Sequence, residues 1–462
     1  MKKGQLMVIE IRSTDLQKLP NLKFSRKRLV GLGLFLLMSS IILGCPNISK
    51  VKATSSNDFY VQAPSQPAWE RTYGGSGDDR AFYATETNDN GFLIVGSTTS
   101  IILGKTVGWI VKTDSTGNAL WNRTYNEGYE TEFRRVLNIA NGFLLVGNTF
   151  SLSGDPEGMI LRVDDNGNLL WNVTIGGMET YKTMSAAQIS DGFVIVGIAS
   201  SSGGNSSQGW VAKISFDGKL LWNKVYGQSM YCTARAVVPA ENGSCIVAGE
   251  TSSSINGNYA FWFFKLDRDG IVMWNSSYAG PESQGAVALC SADNGYIVVG
   301  YVNSVETSSD ALIIKIDLNG NLVWTREFGG DNFDMPSDIT SLAAGGYAIT
   351  GFTFSSNNYG RDLWLFQITE SGQIVWNCVW GHPGYQEAYC VLQVSTSDFA
   401  VFGWISVMGN GSPYHYYAVR LRVEPPEGGG QNTDYLIIGV GSAIVLISGL
   451  VVYARTRKTK IV

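Results

Sequence analysis

The chain reads as all-β, a seven-bladed β-propeller of four-stranded antiparallel blades, with an N-terminal signal or anchor segment and a C-terminal transmembrane helix. Three repeat registers predict the propeller. Trp69, Trp121, Trp171, Trp222, Trp274, Trp324 and Trp376 recur at spacings of 52, 50, 51, 52, 50 and 52. Gly96, Gly147, Gly197, Gly249, Gly300, Gly351 and Gly403 each close a short apolar strand. A further strand precedes the next Trp, as in Trp109-Ile-Val-Lys112, Trp210-Val-Ala-Lys213 and Leu312-Ile-Ile-Lys315. Internal periods near 50 residues mark solenoids, propellers or arrays. The unit has no helical periodicity, and its strands are bounded by Asn-Gly, Asp-Gly and Gly-Gly, which favours antiparallel meanders.

Residues 1–53 form the signal or N-terminal anchor region. Arg26, Lys27 and Arg28 precede the apolar run from Leu29 to Gly44, which is short for a spanning helix and of signal-peptide length. Val51-Lys52-Ala53 fits signal cleavage, and Ile42-Leu43-Gly44-Cys45 is an imperfect lipobox. Both processing routes, and retention as an anchor, stay open.

The propeller is assigned to residues 66–423. Within a repeat, the innermost strand follows a Gly-Gly link, as from Arg80 to Thr87, and the second is the Gly-closed apolar strand. The third ends in Lys or Arg, and the outermost carries the Trp. Turns such as Asp114-Ser-Thr-Gly117, Asp164-Asp-Asn-Gly167 and Asp317-Leu-Asn-Gly320 join the last two. Asp first and Gly last suit a type I turn ending in a left-handed residue. Ala68 to Tyr73 is an outermost strand lacking its blade, and Tyr416 to Val423 is a third strand lacking its outer neighbour. Pairing them closes the ring and removes the open edge of a linear array.

Residues 424–434, rich in Pro, Gly and polar groups, read as a flexible stalk. Tyr435 to Tyr453 is 19 residues without a charge, enough to cross a bilayer. The tail, 454–462, carries Arg455, Arg457, Lys458 and Lys460, which the positive-inside rule places in the cytoplasm. The expected location is therefore the cell membrane, single-pass, with the propeller outside.

The composition excludes other classes. Charged residues are 16% and hydrophobic ones 44%, with 54 Gly and 13 Trp, which is too apolar for a disordered chain. The net charge of −5 leaves no basic footprint for nucleic acid.

The run Lys112-Thr-Asp-Ser-Thr-Gly-Asn-Ala-Leu-Trp121 resembles the repeat of quinoprotein-like β-propellers, with Trp four residues after Gly at Gly117, Gly167, Gly218, Gly270, Gly320 and Gly372. The gap from Asp to Gly is one residue shorter than in that family. Over residues 66–423 the chain is also similar to the Trp-x-x-x-Tyr-Gly-Gly … Asp-Gly-Gly-Tyr-Ile … Gly repeats of uncharacterised archaeal and bacterial cell-surface proteins. The resemblance implies the fold and almost nothing about activity.

No Ser-His-Asp elbow, phosphate loop, Cys-x-x-Cys or dinucleotide fingerprint occurs, so no catalytic residue and no cofactor is assigned. The innermost strands read as mainly Ala, Ser, Thr, Val and Tyr, with little to do chemistry. His382 and His415 fall on loops of blade seven at one face, but Cys378 and Cys390 nearby lie far apart radially, so no metal is assigned. The Asp164 and Asp317 turns lack the late bidentate acid of a calcium loop. The five propeller cysteines, Cys232, Cys245, Cys290, Cys378 and Cys390, occupy differing repeat positions and read as small buried hydrophobes. Asp78-Asp79, Glu130 with Glu132, and Asp331 with Asp334 read as a solvated acidic rim.

Sequons occur at Asn47, Asn122, Asn172, Asn205, Asn242, Asn275 and Asn410. Asn122, Asn172 and Asn275 each follow a blade Trp, where glycans would cover exposed sheet edges. The loops between second and third strands, such as 98–107 and 353–361, are long and differ in every copy, whereas the opposite face carries short uniform turns. Such variation locates recognition. The links between blades add Tyr129, Tyr181, Tyr231, Phe333 and Tyr385 as candidate binding residues for a protein or carbohydrate ligand. The expected role is non-enzymatic recognition, adhesion or scaffolding; a quinoprotein-like or glycan-active enzyme and a structural surface-layer component are the alternatives.

Overall fold

The computed structural model describes residues 67–423, apart from 103, 127, 153, 177–178, 201–205, 228, 253–257, 305–307, 356–359 and 407–412. The expected signal region 1–53 with Cys45 and Asn47, the stalk 424–434, the span 435–453 and the tail 454–462 lie outside the described residues, as do Asn205 and Asn410. Among the described residues no helix is long and apolar enough to cross a membrane.

Among the described residues, seven four-stranded antiparallel sheets form the propeller. The innermost strands of blades one to seven are Asp79–Glu86, Glu130–Ile139, Thr180–Ile189, Cys232–Pro239, Gln284–Ala292, Asp334–Ser341 and Tyr385–Gln393. Each sheet is ordered inner, second, third, outer. In blade one these are Asp79–Glu86, Phe92–Thr98, Val107–Thr113 and Ala119–Tyr125. The second and third strands of blade one are buried along their whole length because neighbouring blades cover both faces, so they read as continuous apolar runs and not as alternating ones.

Blade seven is completed from both chain ends, as expected. Its third strand, His415–Arg422, pairs with Trp69–Tyr73, placing Trp69 opposite Arg420 and Tyr73 opposite Tyr416. The join is sealed by polar contacts. Glu70 Oε1 accepts the Tyr417 hydroxyl at 2.7 Å and lies 2.6 Å from His382 Nε2, while Trp380 Nε1 donates to the same hydroxyl at 2.9 Å.

The blade Trp residues fasten each blade to the next. A methyl group built on Gly117, Gly167, Gly218, Gly270, Gly320 or Gly372 would stand 2.7–3.0 Å from Trp69, Trp121, Trp171, Trp222, Trp274 or Trp324 respectively. Each of those glycines has φ between 72° and 86°, the left-handed region that glycine enters without a Cβ clash. The residue four after the Trp reinforces the dock, for Tyr73, Tyr125 and Tyr226 donate to the carbonyls of Gly117, Gly167 and Gly270 at 2.6, 2.6 and 2.8 Å. Trp376 meets the join in blade seven, where no such turn exists. It is buried there beside Phe399 and Val423 and donates to Gln367 Oε1 at 2.6 Å.

On the turn face the Asp carboxylates are consumed internally. Asp164 Oδ1 accepts the N–H groups of Asn166 and Asn168 at 2.9 and 2.7 Å, and Oδ2 accepts Asn168 Nδ2 at 2.8 Å. Asp317 repeats the pattern with Asn319 and Asn321. Both are hairpin turns by construction.

Candidate functional site

Every innermost strand carries a β-bulge at one repeat position. The register slips between Ala81 and Tyr83, Phe133 and Arg135, Thr183 and Ser185, Ala234 and Ala236, Ala286 and Ala288, Pro336 and Asp338, and Ala388 and Cys390. A bulge leaves one residue unpaired and re-aims its side chain. The seven bulged residues, Phe82, Arg134, Met184, Arg235, Val287, Ser337 and Tyr389, all line one cavity of about 280 Å³ on the propeller axis.

This corrects the reading of the innermost strands as chemically bland. Arg134 binds Glu132 in a fork, Nε to Oε1 and Nη2 to Oε2, each at 3.0 Å, and Asn148 Nδ2 adds a third bond to that carboxylate at 3.1 Å. Arg235 Nη2 donates to Glu250 Oε1 at 2.7 Å, and the Tyr301 hydroxyl donates to Glu250 Oε2 at 2.8 Å. Arg361 pairs with Glu387, whose other oxygen accepts Tyr389 at 2.5 Å. Aromatic rings hold the guanidinium planes: Arg134 lies 4.1 Å from the centre of Phe82, and Arg361 lies 4.5 Å from that of Phe352. Geometry of this kind fixes a planar cation while leaving edge N–H groups for another partner.

At the turn-face end of the cavity, Asp338 is buried and accepts the Val391 N–H at 3.2 Å. Burial pushes its carboxyl up to about 6, against the lowering pull of Arg135. Arg135 itself stands 3.7 Å from the centre of Tyr83.

The candidate link residues do not converge. Phe333 stacks on Phe352 with centroids 6.0 Å apart, and Tyr385 bridges through the backbone to Arg361, so these two flank the Arg361 side of the mouth. Tyr181 packs on Trp210 at 5.1 Å and donates to Glu179 at 3.1 Å. Tyr129 sits in a separate outer groove beside Lys105, Phe150 and Leu152. Tyr231 is exposed on the link before blade four.

The acidic rim is also corrected in part. Asp79 and Asp334 are buried, not solvated. Asp79 Oδ2 accepts Gly75 N–H and Ser100 Oγ, each at 2.8 Å, while Oδ1 accepts Thr98. Asp334 does the same with Gly330, Ser355 and Thr353. Both carboxylates cap the Gly-Gly links. His415 opens a strand instead of lying on a loop, and its Nδ1 is 3.9 Å from Asp79 Oδ2. Among the described residues no group of three or more His, Cys, Asp or Glu gathers as a metal site. The five propeller cysteines are unpaired, all buried except the half-buried Cys290.

The asparagine after the blade Trp has a structural task. Asn223, Asn275 and Asn377 accept the indole N–H of the third-strand Trp210, Trp262 and Trp364, the last two at 2.7 and 2.6 Å; Asn122 does so weakly with Trp109 at 3.4 Å. Asn223 and Asn377 are not sequons. The recurrence of Asn at this position therefore follows from satisfying a buried indole, with or without a glycan.

No family model matches the chain, and no curated protein matches it. Solved structures similar to it include the Neurospora crassa Pan2 WD40 domain, 9% identical, TM-score 0.47, covering 77% of this chain and 94% of that one. A Dyadobacter fermentans protein of unknown function is 9% identical, TM-score 0.45, covering 78% of this chain and 99% of that one. Likenesses this distant carry no argument about activity.

Proposed function

We propose that the chain is a non-enzymatic recognition module, tethered to the outer face of the cell membrane by Tyr435 to Tyr453, that takes its ligand at the axial mouth on the long-loop face. The observation that carries this reading is the convergence of all seven bulged side chains on one cavity whose polar groups are held rigidly. Its volume, about 280 Å³, is at the lower end of small-ligand sites. The opposite face offers short turns whose carboxylates are already satisfied. The tether follows from the uncharged span and its cationic tail. Asn122, Asn172, Asn242 and Asn275 are exposed and open to glycosylation outside the cell.

The test uses the full chain. Protease added to intact cells should release the propeller near residues 424–434; cleavage only after lysis would reverse the topology. Purified protein is then probed on a glycan and peptide array. Met335→Trp, which fills the mouth, should abolish binding, while Asp317→Asn on the turn face should leave it unchanged. The reverse pattern would move the site to the other face. Turnover of an arrayed ligand, instead of retention, would make the protein an enzyme.

A further inference from the structure

Each outermost strand of blades one to six carries a second β-bulge, at its turn end. The register skips Leu120, Leu170, Leu221, Met273, Val323 and Val375, each directly before a blade Trp. Bulges on edge strands re-aim a side chain or block pairing with another chain, and charged side chains serve the second purpose. Here all six bulged residues are apolar. Leu120, Leu170, Leu221, Met273 and Val323 are 45–59% exposed, while Val375 packs partly into the core. The apolar surface is widest on blades two to four, where the preceding Leu169, Leu220 and Val272 are exposed as well. Blade seven has only Ala68 at this repeat position. An exposed apolar sector of this kind marks a contact site.

Where the chain leaves the ring indicates what covers the sector. The strand His415–Arg422 ends on the turn face, where Arg422 opposes Asp398, and Trp69, opposite Arg420, starts the first strand at the same end. Both chain ends therefore leave on the turn face. Residues 424–434 span at most about 40 Å before the apolar run 435–453. Copies tethered in this way share one membrane, turn the same face toward it and hold equivalent positions at a similar height. A two-fold axis along the membrane normal then sets blades two to four of one copy against the same blades of another, an isologous contact. Charge permits this. Segments 162–168, 189–192, 213–219, 239–245 and 265–271, with Lys224, carry seven acids and six bases.

We propose that the sector of blades two to four, through Leu170, Leu221 and Met273, is the contact between two copies of this chain in one membrane, with both axial mouths turned away from the bilayer. The proposal rests on the tether reading given above. Asn172 and Asn275 lie two residues further along the same strands. A glycan at either would hold the sectors apart, so the contact belongs to the bare chain.

The experiment is oxidative crosslinking of the full-length chain, made without glycosylation in a bacterial host and reconstituted at low density in phosphatidylcholine vesicles. Leu221→Cys, at the centre of the sector and nearest the two-fold axis, should give a disulfide-linked dimer with copper phenanthroline. Ala68→Cys on blade seven, and the wild type with its native cysteines, should stay monomeric. Adding Leu170→Glu and Met273→Glu should cut the Leu221→Cys dimer about tenfold or more, because like charges then meet across the contact. The melting temperature should not change, since both side chains are exposed. Equal crosslinking of Leu221→Cys and Ala68→Cys, or crosslinking indifferent to the added double substitution, would overturn the contact and leave the tether standing. Failure of the chain to float with the vesicles would overturn the tether. Sedimentation of the lipid-free chain then decides the contact: a dimer lost in Leu170→Glu/Met273→Glu upholds it, and a monomer overturns it.

Discussion

Trp121 of blade one lies against Gly167 of blade two, so closely that a methyl group on that glycine would stand 3.0 Å from the indole. Its φ of 77° adds a second constraint on the same residue. Gly104 has φ 72° and nothing within 4 Å of the equivalent position. Gly167→Ala should therefore cost more than Gly104→Ala, which loses only the left-handed conformation at about 1–2 kcal/mol. Denaturant melts of the two variants check this; equal losses would mean that the indole contact contributes nothing.

Removing residues 67–73 should destabilise the ring beyond the loss of one edge strand. It uncovers the His415–Arg422 strand, unseats Trp69 from Gly117 and removes Glu70 from the Tyr417 and His382 contacts. Loss of a buried Trp side chain alone costs about 3–5 kcal/mol. An unchanged thermal midpoint would refute closure through both chain ends.

Asn223→Ala and Asn275→Ala should each lower stability by about 1–3 kcal/mol, because each leaves a buried indole N–H unsatisfied. Only Asn275 is a sequon. Similar losses in unglycosylated protein from a bacterial host would establish the structural role. A loss confined to Asn275 in glycosylating cells would assign the position to its glycan.

Asp338→Asn should gain on the wild type as pH rises. The folded-state carboxyl titrates near 6 and the unfolded one near 3.8, so the folded protein binds this proton more tightly. The group's contribution therefore falls between about pH 4 and 6 and is constant above, with a full span of about 3 kcal/mol. Acids held low, such as Asp398 under the Arg422 guanidinium, act in both proteins and cancel. Urea melts at pH 4 and 7 measure the difference; a constant gap would show that Asp338 titrates normally.

The Trp register carried the blade count, the strand order and the shared blade in the sequence alone. The axial site was hidden by its bulges. Each bulged residue, from Phe82 to Tyr389, stands 13 positions after a blade Trp, so the column was present in the repeat. An inserted residue breaks the alternation of faces along a strand, so parity could not tell that Arg134 and Arg235 point inward. The burial of Asp79 and Asp334 was hidden for another reason. Their partners are Thr98, Ser100, Thr353 and Ser355, about 20 residues away, and adjacent acids in sequence ordinarily mark a wet surface. The link aromatics were read as candidate binding residues, but a ring spreads its links around the circumference, so they do not meet at one site.

The join in blade seven also decides how the ring bears mechanical load. The strand that ends at Arg422 is clamped between two neighbours, 398–406 on one side and 69–73 on the other. Tension applied beyond residue 423 pulls along that strand, and its cross-strand hydrogen bonds resist together in shear. The other chain end lies on an edge strand with a single neighbour, so a pull along it is resisted by one ladder instead of two. The connectivity therefore gives the C-terminal end, where a tether would attach, the stronger mechanical grip on the ring.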